Sequence, residues 1–168
     1  MESQSCMKGT IMRKFEIEQH RIFTSDLFSG TAFDDFLLKE ATVVTYAAFQ
    51  IDGQIRTDFF DQEDPEESLR MLPYAPWSVI KPHLRAVIKG KRLPLQFQIV
   101  LLLPPEHPFC LENPALRQEA SDQTLFLNII YREQKLVCTT GASMAAFVPG
   151  IHAGQLWDET ASRFITRY

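Results

Sequence analysis

The stretch that most restricts the fold is PLQFQIVLLL, residues 94–103. Its first half alternates between apolar and polar side chains, which is the period of a β-strand. One face would carry the apolar residues at odd positions 95–101, and the other begins with two glutamines and becomes apolar at Val100 and Leu102. A strand that is apolar on both faces is buried on both sides, so we predict that its second half lies inside a sheet.

Other stretches predict the neighbouring strands. Residues 42–60 are β-branched and aromatic, and Asp52-Gly53 within them favours the positive φ angles of a type I′ hairpin turn. Residues 124–147 predict a second hairpin that turns near Arg132–Lys135. Polar and apolar residues also alternate over Lys14–Glu18, which indicates a first short strand.

Apolar residues at helical spacing predict helices between these strands. In the segment that starts at Trp77, Pro82 should lie in the first turn or kink the helix, because proline lacks an N–H donor. The predicted helices are residues 19–28, a segment from Thr31 with Phe33 and Phe36 on its core side, the segment from Trp77, a short segment from Asn113-Pro114, and the C-terminal stripe from Leu156 to Tyr168.

Hairpins outnumber crossovers in the resulting order β-α-α-β-β-α-β-β-β-α. This order predicts the α+β class, with a mostly antiparallel sheet of about five to six strands, built from two hairpins and single strands. Helices should pack on one face, and the C-terminal helix should close the core. With 168 residues, the chain is expected to form a single domain over residues 13–168, preceded by a disordered N-terminal extension at residues 1–12.

Composition narrows the functional classes. The net charge of −4 argues against non-specific binding of nucleic acid by the whole surface. The three cysteines form no CxxC pair, which favours a reducing compartment. No signal sequence is evident, and the longest aliphatic run is far shorter than the roughly 20 residues that span a bilayer. We therefore predict a cytoplasmic protein that does not enter membranes.

Charge is strongly polarised along the chain. No acidic residue occurs from Ser68 through Pro105, although this span holds six basic residues. Residues 52–67 carry seven acids against Arg56. Such asymmetry predicts a basic face around residues 81–92. The candidate ligand-binding residues on that face are Lys81, Lys89, Lys91, Arg92 and Trp77.

A second interpretation of the basic segment is structural. Lys89 would lie at a helix C-terminus, where a cation is stabilised by the helix dipole. Gly90 fits the left-handed position after a helix, and Pro94 prevents its continuation. An anion site normally lies at the opposite end of a helix, so this interpretation is favoured for the loop backbone itself.

Catalytic motifs are weak. No P-loop, dinucleotide fingerprint or zinc motif occurs, so neither a cofactor nor a metal is predicted, and His107 with Cys110 is a weak metal or thiol signal. Cys138, Thr139 and Thr140 form a polar run that closes an apolar hairpin. An enzyme of unassigned class could use these three residues, and it would need a partly exposed Cys138 with a cation or imidazole nearby.

Several segments together resemble an uncharacterised family, a domain of unknown function in short cytoplasmic proteins of anaerobic Gram-positive bacteria. The likeness runs from about Phe33 to Phe164, and this chain departs from it at Gln134-Lys135, where the family has glycine. The resemblance implies a bacterial cytoplasmic domain and brings no activity, cofactor or substrate. The residues that carry it are Phe33–Ala41, Phe49–Gly53, Trp77, Ile80–Pro82, Ile88–Arg92, Phe126–Ile129, Cys138–Gly141 and Trp157–Glu159.

The sequence thus leaves three functions open. The first is a non-catalytic binding or assembly module, whose basic face would take an anionic ligand or a protein partner. The second is the enzyme with Cys138 at the strand end. The third is a nucleotide- or RNA-associated protein, which requires the basic residues to converge on one exposed surface. Self-association into a homo-oligomer is left open as well.

Overall fold

The fold is built on a six-stranded β-sheet. The computed structural model describes residues 13–61, 63, 67–88, 92–143 and 154–168, so the expected extension at residues 1–12 lies outside the described residues. The strands are β1 (Lys14–Ile17), β2 (Leu37–Val44), β3 (Ala48–Asp52), β4 (Gln96–Leu103), β5 (Thr124–Arg132) and β6 (Lys135–Ser143). The helices are α1 (His20–Phe28), α2 (Glu67–Arg70), α3 (Trp77–Val87), α4 (Pro108–Glu112), α5 (Pro114–Asp122) and α6 (Gln155–Ile165), and a 3₁₀ turn covers Thr57–Phe59.

All strand pairs are antiparallel, in the order β1-β6-β5-β4-β2-β3. The apolar strand β4 lies between β5 and β2, which confirms the prediction from its sequence. The predicted α+β class with an antiparallel sheet is likewise confirmed. Leu95 is an exception, because β4 begins one residue later and Leu95 is 72% exposed rather than part of the core face.

One face of the sheet carries the main core. Alternate residues of β4 and β5, such as Phe97, Ile99, Leu127 and Ile129, are buried against the helices. The helix residues of the same core include Phe23, Leu27, Trp77, Leu84, Leu116, Trp157, Ala161 and Ile165. Alternation along the strands and the helical spacing of α6 therefore bury their apolar sides in one layer, as the sequence predicts.

The opposite face of the sheet has a smaller apolar cluster. Leu37, Val100, Leu102 and Phe126 form it, and Leu72 and Tyr74 pack against it. Val100 and Leu102 lie on the same face of β4 as its two glutamines, and Leu37 and Phe126 both pair with Leu102. All four residues therefore lie on the face of the sheet away from the helices. The segment before α3 thus covers one end of a face that is otherwise more polar.

The hairpin between β5 and β6 turns where the sequence predicts. Glu133 and Gln134 separate the paired residues Arg132 and Lys135, and both turn residues have positive φ angles, 53° and 63°. Two positive φ angles are typical of a type I′ turn, which normally favours Asn or Gly. This chain makes the turn with two long side chains instead.

The prediction that Asp52-Gly53 forms a hairpin turn is wrong. β2 and β3 are joined by residues 45–47, and Gly53 follows the end of β3 without a positive φ angle. A Cβ atom on Gly53 would lie 1.8 Å from the carbonyl oxygen of Leu38. Glycine is required here because the backbone passes against β2, which is a different requirement from that of a turn.

The helix predicted from Thr31 also needs correction. Residues 31–36 form turns with i to i+3 hydrogen bonds rather than a helix, although Phe33 and Phe36 are buried as expected. Of the two alternatives predicted for Pro82, the first turn is excluded because Pro82 lies inside α3, and the kink stays a prediction. The proline-rich connection after β4 contains two helices where one was predicted. The second begins at Pro114, as predicted, and the Asn113 side chain accepts from the Leu116 N–H.

Candidate functional site

Lys81 lies in the interior, not on the expected basic face. Its side chain is buried, and its ammonium donates to the Gly30 carbonyl oxygen and pairs with the Asp34 carboxylate. These contacts join α3 to the turns that follow α1. The positive charge is neutralised within the fold, so the prediction that Lys81 contributes to an exposed binding face is wrong.

Trp77 is likewise structural. It is fully buried, and its indole Nε1 donates to the Leu27 carbonyl oxygen at 2.8 Å. The Phe28 ring lies 6.0 Å from it, centroid to centroid. A tryptophan in this position anchors the start of α3 against α1, and the expectation that it touches a ligand is wrong.

The remaining predicted basic residues are Lys89, Lys91 and Arg92. Lys89 and Lys91 lie outside the described residues, so their part of the prediction stays a prediction. Arg92 is exposed, and it lines a cavity of about 480 Å³ between α1, α3 and the approach to β4. The residues that line this cavity come from segments that are distant in the sequence.

Three arginines line this cavity, which we call the arginine pocket. Arg21 comes from the first turn of α1, Arg85 from the last turn of α3, and Arg92 from the segment before β4. Ser25 and Ser29 line it as well. Arg21 and Ser25 are four residues apart, which places them on one side of α1.

The electrostatics of the arginine pocket are uncompensated within the described part of the chain. No acidic side chain is among the described lining residues, and none of the three arginines forms an ion pair with a described acid. The helix dipole accounts for Arg85 at the end of α3. It does not account for Arg21, since a cation in the first turn of a helix is disfavoured.

Hydroxyl groups complement the guanidinium groups. Ser25 and Ser29 are exposed, and their side chains have no hydrogen-bond partner among the described residues. Thr24 differs, because its hydroxyl donates to the His20 carbonyl oxygen at 2.7 Å. The arginine pocket therefore offers positive charge and free O–H donors on one concave surface.

An apolar hollow adjoins the arginine pocket. It has a volume of about 410 Å³ and shares Ile88, Arg92, Leu93 and Pro94 with the pocket. Tyr46, from the loop between β2 and β3, lines it and is 82% exposed. Arg92 thus lies between a basic cavity and an apolar one.

The side chains of the run Cys138-Thr139-Thr140 do not share one exposed surface. Cys138 is fully buried, and burial raises the pKa of its thiol well above the usual range. Thr140 faces the same side and donates to the Asp158 carboxylate, whereas Thr139 points to the opposite face of the sheet. The enzyme hypothesis required a partly exposed Cys138, and the structure contradicts that requirement.

His107 and Cys110 are also interior residues. The His107 Nδ1 accepts from the Phe109 N–H at 3.1 Å, and burial lowers the pKa of the imidazole to about 4. Burial raises the pKa of the Cys110 thiol to about 11. A thiol in this state is not a reactive nucleophile. No group of three or more metal-ligating side chains occurs among the residues that the structure describes.

Sequence reasoning missed Arg21. It lies outside the basic span and among charged neighbours of mixed sign, so charge counting gave no reason to select it. The one local signal is its place in the first turn of a predicted helix, where a cation is unexpected. Its place in the same cavity as the other two arginines depends on the packing of α1 against α3.

The fold and the site together define a class, an α+β domain with one antiparallel sheet, a helical layer on one face and a basic cavity at one end. The chain belongs to a family of unknown function (DUF5721), whose model matches residues 26–168. This confirms the resemblance to an uncharacterised family. A search of the curated proteins and a search of the solved structures each gave no match. In the described part of the chain, no helix has the length and apolar character needed to cross a membrane.

Proposed function

We propose that this chain is a non-catalytic cytoplasmic binding module that holds a small phosphate-bearing ligand in the arginine pocket. The observation that carries the proposal is the convergence of Arg21, Arg85 and Arg92 on one concave surface. Guanidinium groups bind phosphate through paired N–H donors, and charge-assisted hydrogen bonds of this kind are about twice as strong as neutral ones. The free hydroxyls of Ser25 and Ser29 supply further donors to phosphate oxygens.

Size and charge favour a small ligand over a nucleic acid. The volume of about 480 Å³ lies within the range of about 300–1,000 Å³ that small-molecule sites occupy. Binding of a long phosphate backbone depends on many cationic contacts, and a chain with a net charge of −4 repels such a polymer outside the pocket. RNA association is therefore the second candidate.

The adjoining hollow favours a ligand that carries an apolar ring beside its phosphate. Tyr46 exposes its ring at the rim of this hollow, and Arg92 borders both cavities. Aromatic side chains stack on nucleobases with little sequence preference. A nucleotide, with phosphate in the arginine pocket and base against Tyr46, combines both features.

A charge-reversal experiment tests the proposal. The double variant Arg85→Glu, Arg92→Glu is compared with the control Arg117→Glu, Arg132→Glu, which makes the same charge change at exposed positions outside the pocket. ATP and inorganic phosphate are titrated calorimetrically at low and at physiological salt. Since a hydrogen bond to a charged group contributes about 1.5–3 kcal/mol, the pocket variant should lose affinity for ATP at least about 100-fold.

The control should bind ATP within about threefold of the original chain, because distant surface charges act only through a screened field. Both variants should keep their melting temperatures nearly unchanged, since exposed substitutions rarely alter stability by more than about 0.5 kcal/mol. Unchanged ATP affinity in the pocket variant, or no binding of ATP by the original chain, would overturn the nucleotide proposal. Tighter binding of a single-stranded RNA than of ATP, lost in the same variant, would replace it with the RNA hypothesis.

A further inference from the structure

β3 is an edge strand, and its outer side has no neighbour among the described strands. It lies at the end of the strand order and pairs with β2 alone. Just after β3, the N–H of Gly53 donates to the Lys39 carbonyl oxygen at 2.9 Å. Because hydrogen-bonded pairs alternate along an antiparallel ladder, Phe49 and Ile51 are the residues of β3 that bond to β2. The other residues of β3 direct their N–H and carbonyl groups outward.

These outward residues are Ala48, Gln50 and Asp52. All three are exposed, and no hydrogen bond from another described segment reaches their backbone N–H or carbonyl groups. With 5 residues, β3 has an ordinary strand length, and its pairing with β2 contains no bulge. A regular edge with a row of unpaired backbone groups is a template for an added strand.

The opposite edge of the sheet, β1, is better protected against such pairing. The Arg13 carbonyl oxygen accepts from a β6 N–H at 2.9 Å, so the alternation makes Lys14 and Glu16 the outward residues of β1. Charged side chains, lysine above all, and proline commonly protect sheet edges. β3 has neither lysine nor proline, and its one charge, on Asp52, is paired with Arg56 at 2.8 Å. β3 is therefore the less protected edge.

We propose that β3 pairs with β3 of a second copy of this chain, antiparallel about a two-fold axis, so that two sheets join into one. Two-fold pairs are the commonest form of homo-oligomer, and in them one patch faces itself. The register that places Gln50 opposite Gln50 of the second copy uses every outward group of β3. The two Gln50 residues then exchange backbone hydrogen bonds across the axis, and Ala48 does so with Asp52 of the second copy.

The side chains fit the same register. On the helix side of the sheet, Phe49 lies opposite Ile51 of the second copy, and an aromatic side chain opposite a β-branched one is a favourable cross-strand pair. Ile51 packs against the main core, so this pair extends the core of each copy toward the other. On the other side, amide meets amide at Gln50, and Asp52 meets Ala48. No like charges are opposed.

Proline at the axis tests the pairing. Gln50→Pro removes an N–H that the fold does not use, and proline is tolerated at outward positions of edge strands. In the dimer it removes both hydrogen bonds at the axis, so the dissociation constant should rise at least about tenfold. Sedimentation equilibrium of the full chain from about 5 to about 500 µM measures it, because so short an interface should be weak. The control Glu16→Pro makes the same change at an outward position of β1 and should leave the dimer intact.

Charges at the axis test the symmetry. Gln50→Glu and Gln50→Lys each oppose like charges across the axis and should weaken the dimer, whereas a mixture of the two opposes unlike charges. With the lysine variant labelled with ¹⁵N, native mass spectrometry of an equal mixture should show the heterodimer at least about fivefold more abundant than either homodimer, against about twofold from random pairing. The same pair of changes at Gln98, on the same face but two strands from this edge, should give random pairing.

Hydrogen exchange locates the interface. The N–H groups of Ala48, Gln50 and Asp52 should exchange more slowly as the protein concentration rises, because pairing removes them from water. The N–H of Glu16 should exchange at a rate that does not depend on concentration.

Four results would overturn this proposal. They are a monomer at about 500 µM, a dimer that a folded Gln50→Pro leaves intact, random pairing in the mixture, and protection at β1 instead of β3. If Gln50→Pro does not fold, the two charge variants decide, since exposed substitutions rarely unfold a chain. The arginine pocket and its hollow are lined by no residue of β3, so this proposal and the proposed function fail separately.

Discussion

Replacing Thr140 with valine should destabilise the fold, although Thr140 looks like part of a polar site in the sequence. The hydroxyl is fully buried, donates to the Asp158 carboxylate of α6, and accepts from the Arg13 N–H at 3.2 Å. The backbone N–H of Thr140 also donates to the Arg13 carbonyl oxygen at 2.9 Å. One side chain thus joins β6, α6 and the residue before β1. Valine has the same shape but leaves both partners unpaired.

The size of the effect follows from the two contacts. Asp158 is buried at 6% exposure, and a hydrogen bond to a charged group contributes about 1.5–3 kcal/mol. The hydrogen bond from Arg13 adds about 1 kcal/mol. Together they predict a loss of about 2.5–4 kcal/mol in the free energy of unfolding. For a chain of this length, such a loss lowers the melting temperature by about 5–12 °C.

Thr139 provides the matched control. It is the neighbouring threonine on the opposite face of β6, it is partly exposed, and its side chain has no hydrogen bond among the described residues. Thr139→Val should therefore change the free energy of unfolding by no more than about 0.5 kcal/mol. Chemical denaturation of both variants, followed by circular dichroism, measures the difference. Equal stability of the two variants would refute the role assigned to Thr140.

The pH dependence gives a second check on Thr140→Val. Burial raises the pKa of Asp158, and the Thr140 hydrogen bond opposes that rise. Without the hydroxyl, the pKa rises further. When the pKa of a carboxyl group is higher in the folded than in the unfolded chain, the fold loses stability as the pH rises from the unfolded-state pKa through the folded-state pKa. The loss should therefore be larger at pH 7 than near pH 4, close to the ordinary aspartate pKa of about 3.9. A loss that is equal at both pH values would contradict this explanation.

Two glycine substitutions should act in opposite directions. Gly53→Ala should strongly destabilise or unfold the chain, because the new Cβ would meet the Leu38 carbonyl oxygen at 1.8 Å; wild-type thermal stability would exclude this close approach. Gln134→Gly should stabilise by about 0.5–1 kcal/mol, because glycine relieves a left-handed conformation at φ 63° that costs other residues about 1–2 kcal/mol, less its greater freedom in the unfolded chain. Thermal denaturation measures both, and a lower melting temperature for Gln134→Gly would contradict the second.

The sheet was largely predictable because strand periodicity is local. In β4 the odd positions 97–103 are buried on the helix side, and the sequence pattern already separates them from the glutamines on the other face. The same reasoning located β5, β6 and their turn. Each of these predictions needed only neighbouring residues, since alternate side chains of a strand lie on opposite faces.

The wrong prediction of a turn at Gly53 shows where local reasoning stops. Asp-Gly is typical of a tight turn, but glycine is also required where two backbones approach closely. The partner in this approach is Leu38, which lies in another strand. The sequence near Gly53 holds no information on that strand's position, so the two requirements could not be distinguished.

The site was predicted only in part, because its charge also depends on residues that are distant in the sequence. Counting charges along the sequence treats every lysine and arginine of the basic segment as available to a ligand. Lys81 is not available, because Asp34, far away in the sequence, neutralises it. The count also omits Arg21, which α1 brings to Arg85 and Arg92. Charge density along the chain and charge density in a cavity are therefore different quantities, because pairing removes some charges and packing adds others.

The family match divides the three arginines of the pocket into two groups. It begins at residue 26, so Arg85 and Arg92 lie inside it and Arg21 lies before it. The matched segment alone supplies two arginines to the pocket, and two guanidinium groups can each form a paired contact with one phosphate. Arg21 adds a third charge from the first turn of α1, where the helix dipole opposes it. If the pocket holds phosphate, an anion there offsets that unfavourable placement, so Arg21 gains more from a bound ligand than Arg85, whose charge the dipole of α3 already favours.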